Sequence, residues 1–542
     1  MSKENEGTGI NRRDFLKASA FASAVGVAGI AGCKPKLNAA EKVGETSGEA
    51  LLPSQQKWSF ETPPEKISAS KIVETIDVDV AVLGSGIAGV CAALAAAEKG
   101  ANTLVLEKRE VSTFHGGWCG VLDSRRQKEL GIEFDKEEVI SEIMRWGAYQ
   151  PDQRLVREWA NESGRVMDRL LDLADQAGIE TVPDGETSQT NAYKDYDVSL
   201  RFLPAWNATL VPMVEQAAKA AGAKFMFDTP AKQLIKDDDG VVRGVIAEGL
   251  DGYIQVNAKA VIICTGGYEH DNEMLAKYMP RALNAITNWY SEGSTTGDGI
   301  KMGMWVGGAM QDGGHCPMFF DGGYPEFPLP ISLARQPWLN VNQNGERFIN
   351  EDAPFAYTCN QDLKQPGHMK WSVWDGKWEE EAPLFEGSVC ERMVPPLWTP
   401  EVFEGAKQMG FIIQADTLEE LAQKMEVPSD TFKATVDRYN ELTGKGVDED
   451  FGKHASLLTR IEEAPFFASK SGAALVVTLD GLQITPDMQV LDTEGKVIPG
   501  LFAAGNASGN FFCNDYAITV IGSSHGRALT FGWLAGEKAA AI

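Results

Sequence analysis

Residues Val78–Lys108 read VDVAVLGSGIAGVCAALAAAEKGANTLVLEK. Val78–Leu83 is a short β-rich run that ends at glycine. Gly84-Ser85-Gly86-Ile87-Ala88-Gly89 fits G-x-G-x-x-G. Val90–Lys99 is Ala-rich and helical, Gly100 stops the helix, and Thr103–Leu106 is a second strand closed by Glu107. Each part has a physical task. Gly84 permits a tight turn, Gly86 lets the backbone approach a pyrophosphate, and Gly89 lets the helix pack close to the strand. The helix N-terminus offers oriented N–H groups to the anion. Glu107 stands at the spacing where a carboxylate accepts from ribose hydroxyls. A plain βαβ unit with a glycine-rich turn leaves Glu107 unexplained. The stretch therefore predicts a dinucleotide site in a Rossmann-like α/β fold.

Outward from this stretch, short apolar runs alternate with helical ones from Ile72 onward, an α/β pattern. The 542 residues suffice for two or three domains. Fifty basic against 77 acidic residues give a net charge of −27, which argues against nucleic acid as a partner. The eight cysteines form no C-x-x-C pair and no C-x-x-C-H. That argues against c-type haem and clustered metal sites and suits single thiols. Upstream, Asn11–Cys33 reads NRRDFLKASAFASAVGVAGIAGC. Its apolar run is too short to span a bilayer and reads as a signal peptide over 1–33. Arg12-Arg13 resembles the twin-arginine export motif, which implies the Tat translocase as a partner and a cell-envelope location. Ile30–Cys33 resembles a lipobox, which would anchor the chain through acylated Cys33; simple cleavage nearby is the alternative. Residues 34–71 are polar and read as a flexible tether. Within them, Trp58–Pro64 (WSFETPP) has aromatics suited to docking on the body.

Two further stretches point to FAD. AVIICTGGY (Ala260–Tyr268) and GLFAAGNASG (Gly500–Gly509) are strands ending in glycine. They resemble the distant strands that close over FAD in two-dinucleotide-fold flavoproteins, with Asn506 at the ribityl-binding place. The landmarks GSGIAG, EK with a following Gly116-Gly117, TGGYEHDNEMLAKY, TGDGIKMG, NQNGERFINE, ATVDRYNELTGKGVDEDFGK and SSHGRALTFGWLAG come in order. With them, the sequence resembles the soluble fumarate reductase flavoproteins and their cousins, the urocanate reductases and 3-ketosteroid dehydrogenases. The resemblance implies an FAD-binding domain from residues 72–310 and 478–542, with an α+β capping domain inserted at 311–477. The cofactor set it implies is Gly84, Gly86, Ala88, Gly89, Glu107, Lys108, Gly116, Gly117, Ala231, Thr265, Gly266, Gly267, Asp298, Gly505, Asn506, Gly522, Ser523 and Ser524. A helix beginning near Gly522 would stabilise negative charge on reduced flavin. His525 either shares that role or packs and caps.

In such reductases hydride passes from flavin N5 to an activated alkene and a proton follows, while donors hold the charge on the activating group. Dicarboxylates are held by arginines and histidines. Here Val476 and Val477 stand where the family places paired histidines. Lys377 lies near the place of the family's acid arginine, and Tyr516 is the nearest polar residue to the C-terminal substrate arginine, with Thr519 an alternative. His315 lies about where another substrate histidine belongs. Glu351 survives without the arginine that should follow it. The candidate catalytic residues are thus Tyr516, Glu351, His315 and Lys377. Tyr516 either donates to substrate or packs under the cap. Trp118 and Cys119 belong near the flavin, Cys119 as an unreactive thiol. Arg335, Arg392, Arg438 and Arg460 remain in the cap region as candidate anion binders, with a structural ion-pair role the favoured reading of each. A pocket of Val476, Val477, Phe511, Phe512 and Tyr516 suits a substrate less charged than fumarate. The sequence carries no haem motif and no D-x-x-x-S-G-A-T site for FMN, which implies a separate electron donor such as a cytochrome or quinol-linked membrane protein. The reading is an exported FAD-dependent reductase of C=C bonds conjugated to a carbonyl. A ketosteroid-type dehydrogenase and an electron-transfer flavoprotein without its own substrate are the alternatives.

Overall fold

The structure is a computed structural model that describes residues 57–183, 188–190, 193–289, 295–324, 336–385 and 399–542. The signal-peptide and lipobox readings, Cys33, Cys390, Arg335 and Arg392 lie outside these residues.

The dinucleotide stretch forms strand β1 (Ile72–Leu83), helix α1 (Ile87–Glu98) and strand β2 (Thr103–Leu106). β1 starts six residues before the apolar run. Its first half is only partly buried and is held by parallel pairing with a distant strand, from Ile72 opposite Tyr253 onward. Helix α1 is buried from Ala88 to Ala97. A helix enclosed on all sides needs small apolar residues all round, which its alanines supply. Further on come β3 (Lys224–Met226), β4 (Ala231–Lys236), β5 (Val242–Glu248) and β6 (Tyr253–Ile263), then the short helix α2 (Asp298–Trp305).

The chain then builds a second, mostly antiparallel sheet. β7 (Pro317–Gly323), β8 (Leu339–Val341), β9 (Met369–Trp374) and β10 (Ile413–Ala415) gather round the 13-residue strand β11 (Phe466–Thr478). The two-residue strand Thr287–Asn288 adds to β11 in parallel. Helix α3 (Phe355–Asp362) lies between β8 and β9 in the chain. One aromatic cluster of this inserted domain stacks Trp378 on Phe403 at 4.2 Å, with Trp338, Trp374, Phe385 and Phe467 around them.

After β11 the chain returns to the first sheet through β12 (Gln489–Leu491) and β13 (Val497–Ala503), and ends in helix α4 (Ser523–Ala539). The first sheet runs β12-β13-β6-β1-β2-β3, with β5 and β4 on an antiparallel branch from β6. The core pairs β13-β6-β1-β2-β3 are parallel, so their C-terminal ends open on one edge, where α/β sheets bind ligands. Helices α1 and α4 touch backbone to backbone. A Cβ on Gly532 would lie 2.2 Å from the Ala88 carbonyl oxygen, and one on Gly536 2.3 Å from that of Ala92. Among the described residues no helix is long and apolar enough to cross a membrane.

Trp58–Glu61 docks on the body. Phe60 is buried against Tyr278 (5.9 Å), Trp305 donates its indole N–H to the Phe60 carbonyl (2.8 Å), and Ser59 N–H donates to Glu273 (2.5 Å).

Candidate active site

At the end of β1, Gly84 has φ +93° and a side chain there would strike the Cys264 carbonyl at 2.6 Å. A Cβ on Gly89 would lie 2.0 Å from the Gly84 carbonyl oxygen, whereas one on Gly86 would meet nothing nearer than Thr113 at 3.9 Å. The loop is thus jammed on its protein side and open on its other side. The first α1 bond runs from Val90 N–H to the Gly86 carbonyl, and Gly86 gives no side-chain cap. The amides of Ile87, Ala88 and Gly89 therefore have no intrahelical acceptor and face the opening.

Glu107 is buried at the end of β2. Its Oε2 accepts from the Ser85 N–H (2.8 Å) and hydroxyl (2.9 Å), and its Oε1 accepts from the Arg109 N–H (3.0 Å). Lone pairs remain on Oε1 for a ribose hydroxyl. Lys108 pairs with Asp298 at 2.9 Å. Burial pushes the Asp298 pKa up, but Lys108 overrides it and holds it below the ordinary value. Thr265 Oγ1 accepts from the Gly299 N–H (3.2 Å), and Ala231 opens β4 opposite Ala247.

With a ribose at β2, the ends of β1, β6 and β13 would be left for the other half of a dinucleotide. That edge carries Gly116-Gly117, Gly266-Gly267, Gly505-Asn506 and Gly522–Ser524. Gly117 abuts Trp206, and Gly267 abuts Thr478 and Glu269. Burial raises the Glu269 pKa to about 7 against donation from Thr295 and Thr478. Helix α4 begins at Gly522, left-handed at φ +75°, again without a side-chain cap. Tyr516 is buried beside this start. Ser523 Oγ–H donates to its hydroxyl (3.3 Å). Burial raises the Tyr516 pKa against this donor. A phenol oxygen that accepts from its neighbour is free to donate its own proton.

His525 is held by its neighbours. Its Nδ1 bonds the Trp118 carbonyl (3.2 Å), its ring presses on Gly116, and burial pulls its pKa down to about 4, so it is neutral. Burial likewise pulls His115 down to about 3. The thiols of Cys91 and Cys513 are pushed up to about 12 by burial, and that of Cys119 is raised in the same way.

His315 Nδ1 lies 2.5 Å from Asp480 Oδ2, and the Tyr268 hydroxyl donates to the same oxygen at 2.7 Å. Asp480 is fully buried, and burial raises its pKa against both bonds. Tyr278 packs on the His315 ring at 4.9 Å. Val476, Val477, Phe511 and Phe512 are all buried. The other two predicted catalytic residues have partners within the inserted domain. Glu351 binds Arg347 through two contacts (2.9 and 2.7 Å), and Lys453 lies 3.6 Å away. Lys377 pairs with Asp375 and donates to the Arg460 carbonyl (3.1 Å). Arg438 and Arg460 pair with surface carboxylates. The residues missed by sequence reasoning are Tyr268, Glu269, Thr478, Asp480 and Arg527. Arg527 left one signal: an arginine directly before the largely apolar run Ala528–Ala535 of α4.

Residues 79–515 match the FAD binding domain family. The chain belongs to that family. The open glycine loop, the uncapped α1 amides and the acceptor on Glu107 fit FAD, which is the cofactor of this flavoprotein. It is 30% identical to the vinyl phenol reductase of Lactiplantibacillus plantarum, over 85% of this chain and 96% of that one. It is 26% identical to the urocanate reductase of Eggerthella lenta, over 86% of this chain and 75% of that one. Its fold is similar to the open conformation of a flavocytochrome c3 fumarate reductase, with a TM-score of 0.66 and 26% identity over 87% of this chain and 79% of that one.

Proposed function

We propose that this flavoprotein reduces a C=C bond conjugated to a carbonyl or phenol ring, on a substrate less charged than fumarate. It is an FAD-dependent oxidoreductase of the fumarate reductase type, whose members act on C=C bonds. The observation that carries the finer reading is the apolar character of the predicted pocket residues. Val476 and Val477, just before the last residue of strand β11, are buried, as are Phe511, Phe512 and Tyr516. These side chains favour an aromatic or neutral group and themselves carry no charge to set against a dicarboxylate. The relatives named for vinyl phenol and urocanate, both aromatic alkenes, support the same class.

Bound FAD supplies two-electron transfer to the alkene. The chain's own residues exclude water, orient the substrate and handle the proton. Tyr516 donates from its hydroxyl, whose oxygen is held by Ser523 at the start of α4. His315, with Nδ1 fixed on Asp480, presents Nε2 for hydrogen bonding to the activating group. The same reading places the enzyme in the cell envelope, exported through Arg12-Arg13, with electrons from a separate cytochrome or quinol-linked donor. Its support is the sequence of residues 1–33.

The test is anaerobic oxidation of reduced methyl viologen by the FAD-loaded protein, with fumarate, urocanate, vinyl phenol, hydroxycinnamates and cyclic enones. Turnover on aromatic or neutral alkenes with none on fumarate is expected. Good fumarate turnover alone overturns the reading, and steroid oxidation by an acceptor dye with no alkene reduction assigns the dehydrogenase direction. Tyr516→Phe is expected to lower alkene turnover about 100-fold while retaining FAD, the usual scale of a lost general acid.

A further inference from the structure

Arg527 is completely buried in α4, with 0% exposure. Its guanidinium donates to Asn506 Oδ1 (2.8 Å) and to the Ser508 carbonyl (3.1 Å), and its Nε has no partner. The rings of Phe511 and Phe512 lie 5.7 and 5.4 Å away. No carboxylate is within ion-pair distance of it among the described residues. Asp480 acts on it only through space, being bonded to His315 and Tyr268.

Buried cations elsewhere in this protein are neutralised. Lys370 lies 2.6 Å from Asp321 and 3.2 Å from Asp362. Arg347 contacts Glu351 and Asp448 at 2.7 and 2.8 Å, and Lys453 lies 3.6 Å from Glu351. An isolated buried charge is costly, so a protein that keeps one has an anion to set against it in some state.

The place of Arg527 says which anion. It lies four residues after Ser523, on the same face of α4 and one turn in from the uncapped start beside Tyr516. Its other partner, Asn506, closes the end of β13. Because Arg527 can only donate, Asn506 must present Oδ1 to it. The Asn506 amide nitrogen, which has no protein acceptor among the described residues, then faces the cleft. Two electrons and one proton taken up by FAD leave its ring system with one more negative charge. The start of α4, one turn from Arg527, is where the family resemblance would set that charge.

We propose that Arg527 is a positioning residue for FAD: it fixes the Asn506 amide as a donor to the cofactor and sets an uncompensated positive charge that favours the reduced state. The inference rests on FAD binding alone and holds whichever alkene is reduced.

The test is an anaerobic redox titration of the FAD-loaded full chain against reference dyes, read by flavin absorbance. Arg527→Met is expected to lower the reduced-to-oxidised ratio at a fixed potential at least about tenfold, equivalent to about 30 mV for a two-electron couple. Arg527→Lys, which keeps the charge without the fork, falls between wild type and Met. Asn506→Asp, which sets a carboxylate against Arg527, shifts the potential in the same direction as Met. FAD retained with an unchanged potential in Arg527→Met overturns the proposal. So does weaker FAD retention at an unchanged potential, which would assign the charge to the pyrophosphate. Where Arg527→Met emerges without FAD, the potential of Asn506→Asp decides: a fall supports the proposal and no change overturns it.

Discussion

In the inserted domain, Lys370 sits between Asp321 and Asp362, and Arg347 between Glu351 and Asp448. In the cofactor domain Arg527, as deeply enclosed as Lys370, faces an amide oxygen and a carbonyl. The first arrangement is complete without any ligand and serves structure. The second is electrically incomplete until something negative forms beside it. Burial alone therefore does not distinguish structural from functional charge; the state of the partners does. The Lys370 cluster also places Asp321, Cys359 and Asp362 close enough to resemble a metal site, but the ammonium already sits between the two carboxylates.

The largest effect that tests this contrast is on stability. Lys370→Met strands two buried carboxylates and is expected to cost about 3–5 kcal/mol, the usual result of breaking a buried pair from one side. Arg527→Met in the FAD-free protein strands no charge and leaves only two uncharged acceptors unpaired, for about 1–2 kcal/mol. Urea unfolding of both variants reads the difference. Equal losses would end the distinction between the two regions.

A smaller effect is expected in acid. Burial pushes the Asp448 pKa up, but Arg347 and the amides of Lys453 and Phe451 win and hold it at about 2, from an ordinary 3.8. A lowered carboxylate pKa adds stability above the unfolded value, and that stability is lost as pH falls through the folded value. Unfolding between about pH 4 and pH 2 should therefore steepen through this pair, and Arg347→Met should flatten that slope. Arg527 has no carboxylate to protonate, so Arg527→Met should leave the slope intact. A flattened slope there would break the comparison.

Much of the cofactor half was legible because its determinants are local. Gly84, Gly86, Gly89 and Glu107 lie within one βαβ unit, and the turn, close packing and acceptor they supply depend on near neighbours. The start of β1 was not legible: its first half is half-exposed and exists because residues near 253 pair with it. The catalytic side was harder still. His315 and Asp480 are 165 residues apart, and Tyr268 reaches the same oxygen from a third segment. Neither hydrophobic period nor motif spacing encodes such a meeting. Glu351 shows the converse. Its carboxylate was conspicuous in the sequence, yet Arg347, four residues before it, takes up both oxygens. For Arg527 the sequence offered its place directly before a largely apolar helical run, while the absence of an acid beside it is a fact of three dimensions.

The contact between α1 and α4 has one more consequence. Gly532 and Gly536 bring the two helices together main chain against main chain, at Ala88 and Ala92. The amides at the start of α1 and those at the start of α4 are thereby set at a fixed spacing, like the jaws of a locked caliper. What the caliper would measure is the span from the pyrophosphate to the ring system of the cofactor, and its setting is written in glycine and alanine.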